Sequence, residues 1–256
     1  MIPQFFVKAS GEQINFENFA YPNGAQLIFD WGNPTSYSPG QGSSGVTFNV
    51  SGSTPSEPQG GFLKVGGGSA LLWTSLYSGS VNLRPSNVSN YYVEYPGTLP
   101  TGAISVVSVY KSDSNDVNGS LLALTGSNNG INLVMNSSKV ITPTIWYGVS
   151  GNTQATLTCN ATLPDNNWNM VTFTTNGSNE HTMYLNAAIS ASIDTNTYDR
   201  GLFAPSQRNI KIGINNINPG NNVSLQGYLM ATLIYPSVLT KKQIRQLYYV
   251  FRKRFA

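Results

Sequence analysis

A chain of 256 residues with only 10% charged side chains, against about 25% in an average soluble domain, excludes a long helical protein, whose outer faces need charge. Hydrophobic residues at 40% and aromatics at 11% exclude a disordered chain and supply a substantial core. The net charge of +3 is uneven: the last sixteen residues carry Lys241, Lys242, Arg245, Arg252, Lys253 and Arg254 with no acid, so the remainder nets −3.

Residues 1–20 stand apart as an N-terminal arm or edge strand. Phe5-Phe6-Val7 reads as an added strand, and Phe16 and Phe19 as packing anchors. An arm docked on a neighbouring subunit and an arm wrapped on its own domain fit this equally. Residues 21–256 read as one β-sandwich. Tyr21-Pro22-Asn23-Gly24 marks a turn, and Ala25 to Phe29 a short buried strand. Asp30 to Gly40 is a long loop, packed by its own Trp31 and Tyr37. Strands follow at Val46 to Val50, Phe62 to Val65 and Ala70 to Leu76, the last two joined by a Gly66-Gly67-Gly68 turn.

Tyr91 to Tyr95 alternates weakly. Gly102 to Tyr110 is one of the strongest strands, and Leu121 to Leu124 returns from it. Asn128-Asn129-Gly130 suits a tight hairpin into Ile131 to Met135. Ile145 to Gly148, Ala155 to Cys159, Asn169 to Thr175, His181 to Leu185 and Asn209 to Ile214 are the later strands, with Asn176-Gly177 as a hairpin turn. Leu229 to Tyr235 is a strand rich in aromatic and long apolar residues, and Pro236 ends it. Thr240 and Gln243 have the spacing of a capping box. Ile244, Leu247, Tyr248 and Phe251 then repeat at i, i+3, i+4, i+7, one face of a helix. Many strands with a single helix imply two stacked antiparallel sheets. With one cysteine, Cys159, the chain has no internal disulfide, and that thiol reads as a small core residue.

Three stretches together resemble the concanavalin A-like lectin/glucanase superfamily, in its laminin-G-like jelly-roll branch. LIFDWGNPTSYSPG (residues 27–40) is similar to the strand and "D-x-G-N-P-x-S-Y" loop of such domains in phage and bacterial surface proteins. WNMVTFTTNGSNEHTMYLN (168–186) resembles the "W-x-x-V-x-x-T" strand, turn and "x-x-Y-x-N" strand. GYLMATLIYPSVLTKKQIRQLY (227–248) resembles the family's closing strand and helix, with Pro236 and Ser237 in place of a polar-basic pair. The resemblance implies an all-β, two-sheet jelly-roll sandwich with a short C-terminal α-helix. In it Trp168 is a core aromatic, Asn186 a turn residue, and the helix a plug on the sandwich edge.

Glycoside cleavage needs two carboxyls, one protonated and one ionised, which glucanases of the superfamily carry as E-x-D-x-x-E. No two of the eleven acids here stand two residues apart, so that triad is absent and no catalytic residue is assigned. Glu94 and Glu180 are the acids to mutate in a cleavage assay. His181, the one histidine, reads as an exposed strand residue rather than the base of a Ser-His-Asp site. Asp113 and Asp116 offer oxygens to Ca²⁺, which the resemblance allows in rim loops, but the run lacks the EF-hand pattern. No metal ligand is assigned and no other cofactor is expected. Jelly-roll lectins stack aromatic faces on pyranose rings. Carried over, that implies Tyr37, Trp73, Tyr77, Trp146 and Tyr147, which lie in or beside loops.

The leading expectation is a non-enzymatic structural virion protein: a phage capsid decoration, head-fibre or tail-associated subunit, made in the host cytoplasm. No signal peptide is read at the start, and no run approaches the ~20 apolar residues of a membrane span. Its partners are other virion proteins such as the major capsid protein, or further copies of itself. Arg252, Lys253 and Arg254 are the candidate docking surface. The alternative is a carbohydrate-binding adhesin or receptor-binding module at an extracellular or cell surface, with host-surface glycans as partners. A glycosidase ranks third. No nucleic-acid or membrane partner is expected.

Overall fold

A computed structural model of the chain describes residues 21–32 (save 23 and 26), 46–47, 60–65, 73–74, 79–83, 91–96, 102–112, 119–124, 130–147, 153–156, 160–194 (save 165), 209–215 and 223–255. The expected N-terminal arm lies outside these residues, as do Cys159, Asp113 and Asp116. In chain order the strands are β1 (Leu27–Asp30), β2 (Val46–Thr47), β3 (Gly60–Val65), β4 (Trp73–Thr74), β5 (Ser80–Asn82), β6 (Tyr91–Pro96), β7 (Ile104–Ser112), β8 (Gly119–Leu124) and β9 (Gly130–Met135). They continue as β10 (Val140–Tyr147), β11 (Thr153–Thr156), β12 (Ala161–Thr162), β13 (Trp168–Thr175), β14 (Glu180–Leu185), β15 (Ala188–Asp194), β16 (Asn209–Ile212), β17 (Ile214–Asn215), β18 (Val223–Ser224) and β19 (Gly227–Tyr235). Among the described residues the helix is α1 (Lys241–Arg252).

Two antiparallel sheets form the body. The first runs β15-β14-β13-β7-β19-β5-β4, with β1 also paired to β19. The second runs β11-β10-β9-β8-β16-β6-β3-β2, with β12 also paired to β10. The all-β jelly-roll expectation holds. Between the sheets lies one core: Phe29, Val106, Tyr110, Val171, Phe173 and Ile234 from the first meet Leu122, Ile131, Leu133, Ile141 and Ile212 from the second. Side chains alternate across a strand, so in β7 the residues Ile104, Val106 and Tyr110 join this core while Val107 and Val109 face the other way. That second face is buried as well, which explains why ISVVSVY shows so little polar alternation.

What buries it is α1. Ile244, Leu247 and Phe251 pack with Val107, Val109, Trp168, Met170, Leu233 and Tyr235 in a second cluster. The helix therefore covers the outer face of the central strands β13, β7 and β19, and does not plug an edge. Trp168 is a core aromatic as expected, but it lies beneath the helix rather than between the sheets. The connection from β19 is fixed at its middle. The Ser105 hydroxyl of β7 donates to the carbonyl of Ser237 (2.7 Å) and accepts from the Leu239 amide (2.8 Å). The Thr240–Gln243 capping box then forms in both directions.

Four short strands, β5, β12, β17 and β18, break or extend the sequence-based pattern, and β15 was not foreseen. Its hairpin to β14 turns on Asn186 and Ala187, both at positive φ (51° and 66°), as a two-residue type I′ turn requires. Asn186 also accepts the Met170 amide (2.9 Å), so the turn residue expected from the motif is tied to β13.

Tyr235 ends β19 fully buried under the helix, and its hydroxyl has no hydrogen-bond partner among the described residues. Burial pushes its pKa upward. The neutral form is thus favoured in the folded state, and the stability this gives is present below the ordinary tyrosine pKa of 10.0 and is lost as pH rises past it. Tyr235→Phe is expected to be neutral or stabilising by up to about 1 kcal/mol at pH 7. Its advantage over the parent should widen at about pH 10.5. Urea denaturation at both pH values reads the effect; a clear loss at pH 7 would mean the hydroxyl is satisfied.

Candidate functional site

The helix presents two chemically opposite faces. At 100° per residue, Ile244, Leu247 and Phe251 fall on one arc and are buried. Lys241, Lys242, Arg245, Tyr249, Arg252 and Lys253 fall within about 120° on the other side, and all six are exposed. Tyr249 is 58% exposed, and the Arg252 guanidinium lies 6.0 Å from the centroid of the Tyr248 ring.

Arg254 does not belong to this face. Sequence grouped it with Arg252 and Lys253 as a docking triplet, but its side chain is buried. One guanidinium nitrogen donates to both carboxylate oxygens of Asp30, at 2.7 and 2.9 Å, and the other to the Gly79 carbonyl at 3.3 Å. Asp30 also accepts from the Tyr21 hydroxyl and from the Gly32 amide (3.0 Å). The physical reason is periodicity: position 254 lies three residues past Phe251 and seven past Leu247, so the chain carries it back onto the buried arc. Of the expected triplet, only Arg252 and Lys253 reach solvent.

The aromatic platform divides. Tyr37 and Tyr77 lie outside the described residues. Trp73 stands in β4, opposite Val81 of β5, at one edge of the first sheet. Trp146 and Tyr147 end β10, opposite Gln154 and Thr153 of β11. β12, which pairs with β10, lies against β14, and the Ser190 hydroxyl of β15 donates to the Asn160 carbonyl just before β12 (2.8 Å). From β4 to β14 is five strand spacings, about 24 Å. Trp73 therefore stands in a different sheet from Trp146 and Tyr147, five strands from β14, against which β12, the partner of β10, lies.

His181 is buried, not exposed. It stands opposite Thr175 and its ring stacks on Phe173, centroids 6.3 Å apart. The β14 alternation places it beside Met183 on the core-facing side. Glu94 in β6 and Glu180 in β14 belong to different sheets. Glu180 does stand opposite Asp194 of β15 in register, but it is exposed, whereas a general acid for glycoside cleavage needs an enclosed site. Among the described residues no group of three His, Cys, Asp or Glu side chains is placed to hold a metal. No described helix is long and apolar enough to cross a membrane.

The residues that sequence reasoning missed are Asp30, Tyr21 and Tyr249. Asp30 carried a signal: a charged residue closing the apolar strand LIFD. Tyr249 carried one too, since the helical period puts an aromatic ring among the charges of the polar face.

A laminin G family model, described by the words Concanavalin A-like lectin/glucanases superfamily, matches residues 86–245. No curated protein matches the sequence. Among solved structures the chain is similar to the binding domain of botulinum neurotoxin serotype G, with TM-score 0.61 and 12% identity over 88% of this chain and 51% of that one. It is also similar to the serotype D ligand-binding domain in complex with N-acetylneuraminic acid, with TM-score 0.60 and 15% identity over 88% and 50%. A third is botulinum neurotoxin type C, whose route into the cell depends upon interaction with two ganglioside molecules. There the TM-score is 0.56, with 16% identity over 71% and 44%. The chain thus spans about half the length of these solved chains, and at such identities what is shared is the fold.

Proposed function

Because the chain belongs to the concanavalin A-like lectin/glucanase superfamily, we propose that it is a non-catalytic carbohydrate-binding module acting at an extracellular or cell surface. The family match over residues 86–245 carries this reading. It is supported by the solved structures of similar fold, which include a complex with N-acetylneuraminic acid and a toxin dependent on gangliosides. Those structures are toxin binding domains rather than virion subunits, so they favour the adhesin reading over the phage scaffold. The exposed setting of Glu180 and the separation of Glu94 from it speak for binding rather than cleavage.

A glycan array probed with the whole chain tests this. At least one oligosaccharide class should bind with a Kd of about 1 mM or tighter, and the bound oligosaccharide should be recovered uncut. Silence across neutral and acidic glycans would overturn the proposal. Release of shortened sugars that stops on Glu180→Gln would replace it with a glycosidase.

A further inference from the structure

We infer that the outer face of α1 is the binding surface for an acidic oligosaccharide, one carrying carboxylate or sulfate groups along its length. This rests on the carbohydrate-binding reading above and names the ligand class and site for it. Five cations, Lys241, Lys242, Arg245, Arg252 and Lys253, stand exposed around the exposed ring of Tyr249. From Lys241 to Lys253 the face is about 18 Å long.

The helix macrodipole accounts for Arg252 and Lys253 at its C-terminal end but not for Lys241, Lys242 and Arg245. The first turn carries no acid, while Lys241 and Lys242 stand at the helix N-terminus, where the macrodipole disfavours cations. Lys241 and Lys242 also lie four and three residues before Arg245, spacings at which like charges repel. A solvated face selected for helix stability would place acids there. An anion lying along the face relieves both penalties.

The partner's chemistry follows from two further features. Tyr249 gives a flat, partly apolar ring in the middle of the cations, as a pyranose face needs and a simple salt does not. Net positive charge is concentrated at this end of the chain: six of the fourteen Lys and Arg lie here with no acid, and the remaining residues net −3. A polyanion much longer than the helix, such as a nucleic acid, finds no further net positive charge in the rest of the chain. A short acidic sugar needs none. The surface is also rigid. The capping box holds one end of the helix, and the buried Arg254–Asp30 pair anchors the residue just past the other. The backbone is therefore ordered before binding, and the ordering cost that is left is that of the long basic side chains.

The probes are a heparin-derived hexasaccharide, neutral chitohexaose of similar length, and a single-stranded dodecanucleotide, each titrated into the whole chain by calorimetry at two salt concentrations. The acidic hexasaccharide should bind most tightly of the three. The combined change Lys242→Gln, Arg245→Gln, Arg252→Gln should weaken it about tenfold, as expected of three exposed charge pairs, and should flatten its salt dependence. Tyr249→Ala should weaken binding several-fold and leave the salt dependence as it was. All four residues are exposed, and thermal melts check that each variant folds like the parent. Unchanged binding by the triple variant overturns the inference. So does tighter binding of the dodecanucleotide, or a Tyr249→Ala variant that binds like the parent. If the array finds neutral glycans whose binding survives the triple change, the carbohydrate-binding proposal stands and this site falls. If no glycan of either kind binds, the broader proposal itself has failed.

Discussion

Arg254→Ala is expected to destabilise the folded chain by about 3–5 kcal/mol, the usual cost of removing one partner from a buried ion pair. Asp30 would keep its bonds from Tyr21 and the Gly32 amide. It would lose a cation that touches both of its oxygens, and the Gly79 carbonyl would lose a donor. Arg252→Ala, at an exposed neighbour, should stay within about 0.5 kcal/mol. Urea denaturation of the two variants reads the contrast. A double change, Asp30→Asn with Arg254→Met, should recover most of the loss, because it removes the stranded charge as well as its partner. If Arg254→Ala costs no more than Arg252→Ala, the pair contributes nothing and the C-terminal segment is not anchored there. The result also bears on function. Neutralising Arg252, Lys253 and Arg254 together would mix loss of a surface charge with loss of the fold, so a docking or sugar-binding test has to leave Arg254 in place.

This misassignment shows which parts of the molecule sequence can reveal. Period and punctuation are local, and they read well. The strand Leu229 to Tyr235, its stop at Pro236, the Thr240–Gln243 box and the buried series Ile244, Leu247, Phe251 all appear where the spacing puts them. So does the core strand β7. Which layer a residue enters is a non-local matter. A period of two says that Trp168 and Val171 face opposite ways, but not that one lies under a helix and the other between sheets. The aromatic candidates meet the same limit. Trp73 and Trp146 both lie beside loops in sequence, yet the strand order puts them in different sheets. The basic face of α1 was legible in composition; the burial of Arg254 needed the helical period to be carried one step past the helix end. His181 reads as polar and exposed in its hairpin until the β14 alternation is counted back from Met183.

Phe251→Ala should cost about 3–5 kcal/mol, the range for emptying a fully buried aromatic site. The side chain sits where three features meet: the buried arc of α1, the Tyr21 ring at 6.2 Å, and the Arg254 guanidinium 5.7 Å from its own ring centroid. Truncation leaves a cavity and also removes the wall against which Arg254 is held over Asp30. Its cost and that of Arg254→Ala should therefore be less than additive, as expected for residues in direct contact. Hydrogen exchange distinguishes two ways of losing the stability. Val107, Val109, Met170 and Leu233 are buried in the cluster that α1 shares, so lifting the helix uncovers part of the outer face of the three central strands. Exchange in Phe251→Ala should then rise together in α1, β7, β13 and β19, as one cooperative unit. Faster exchange confined to α1, with β7 and β13 as protected as in the parent, would show that the sheet stands without its cover and that the helix is a separable appendage.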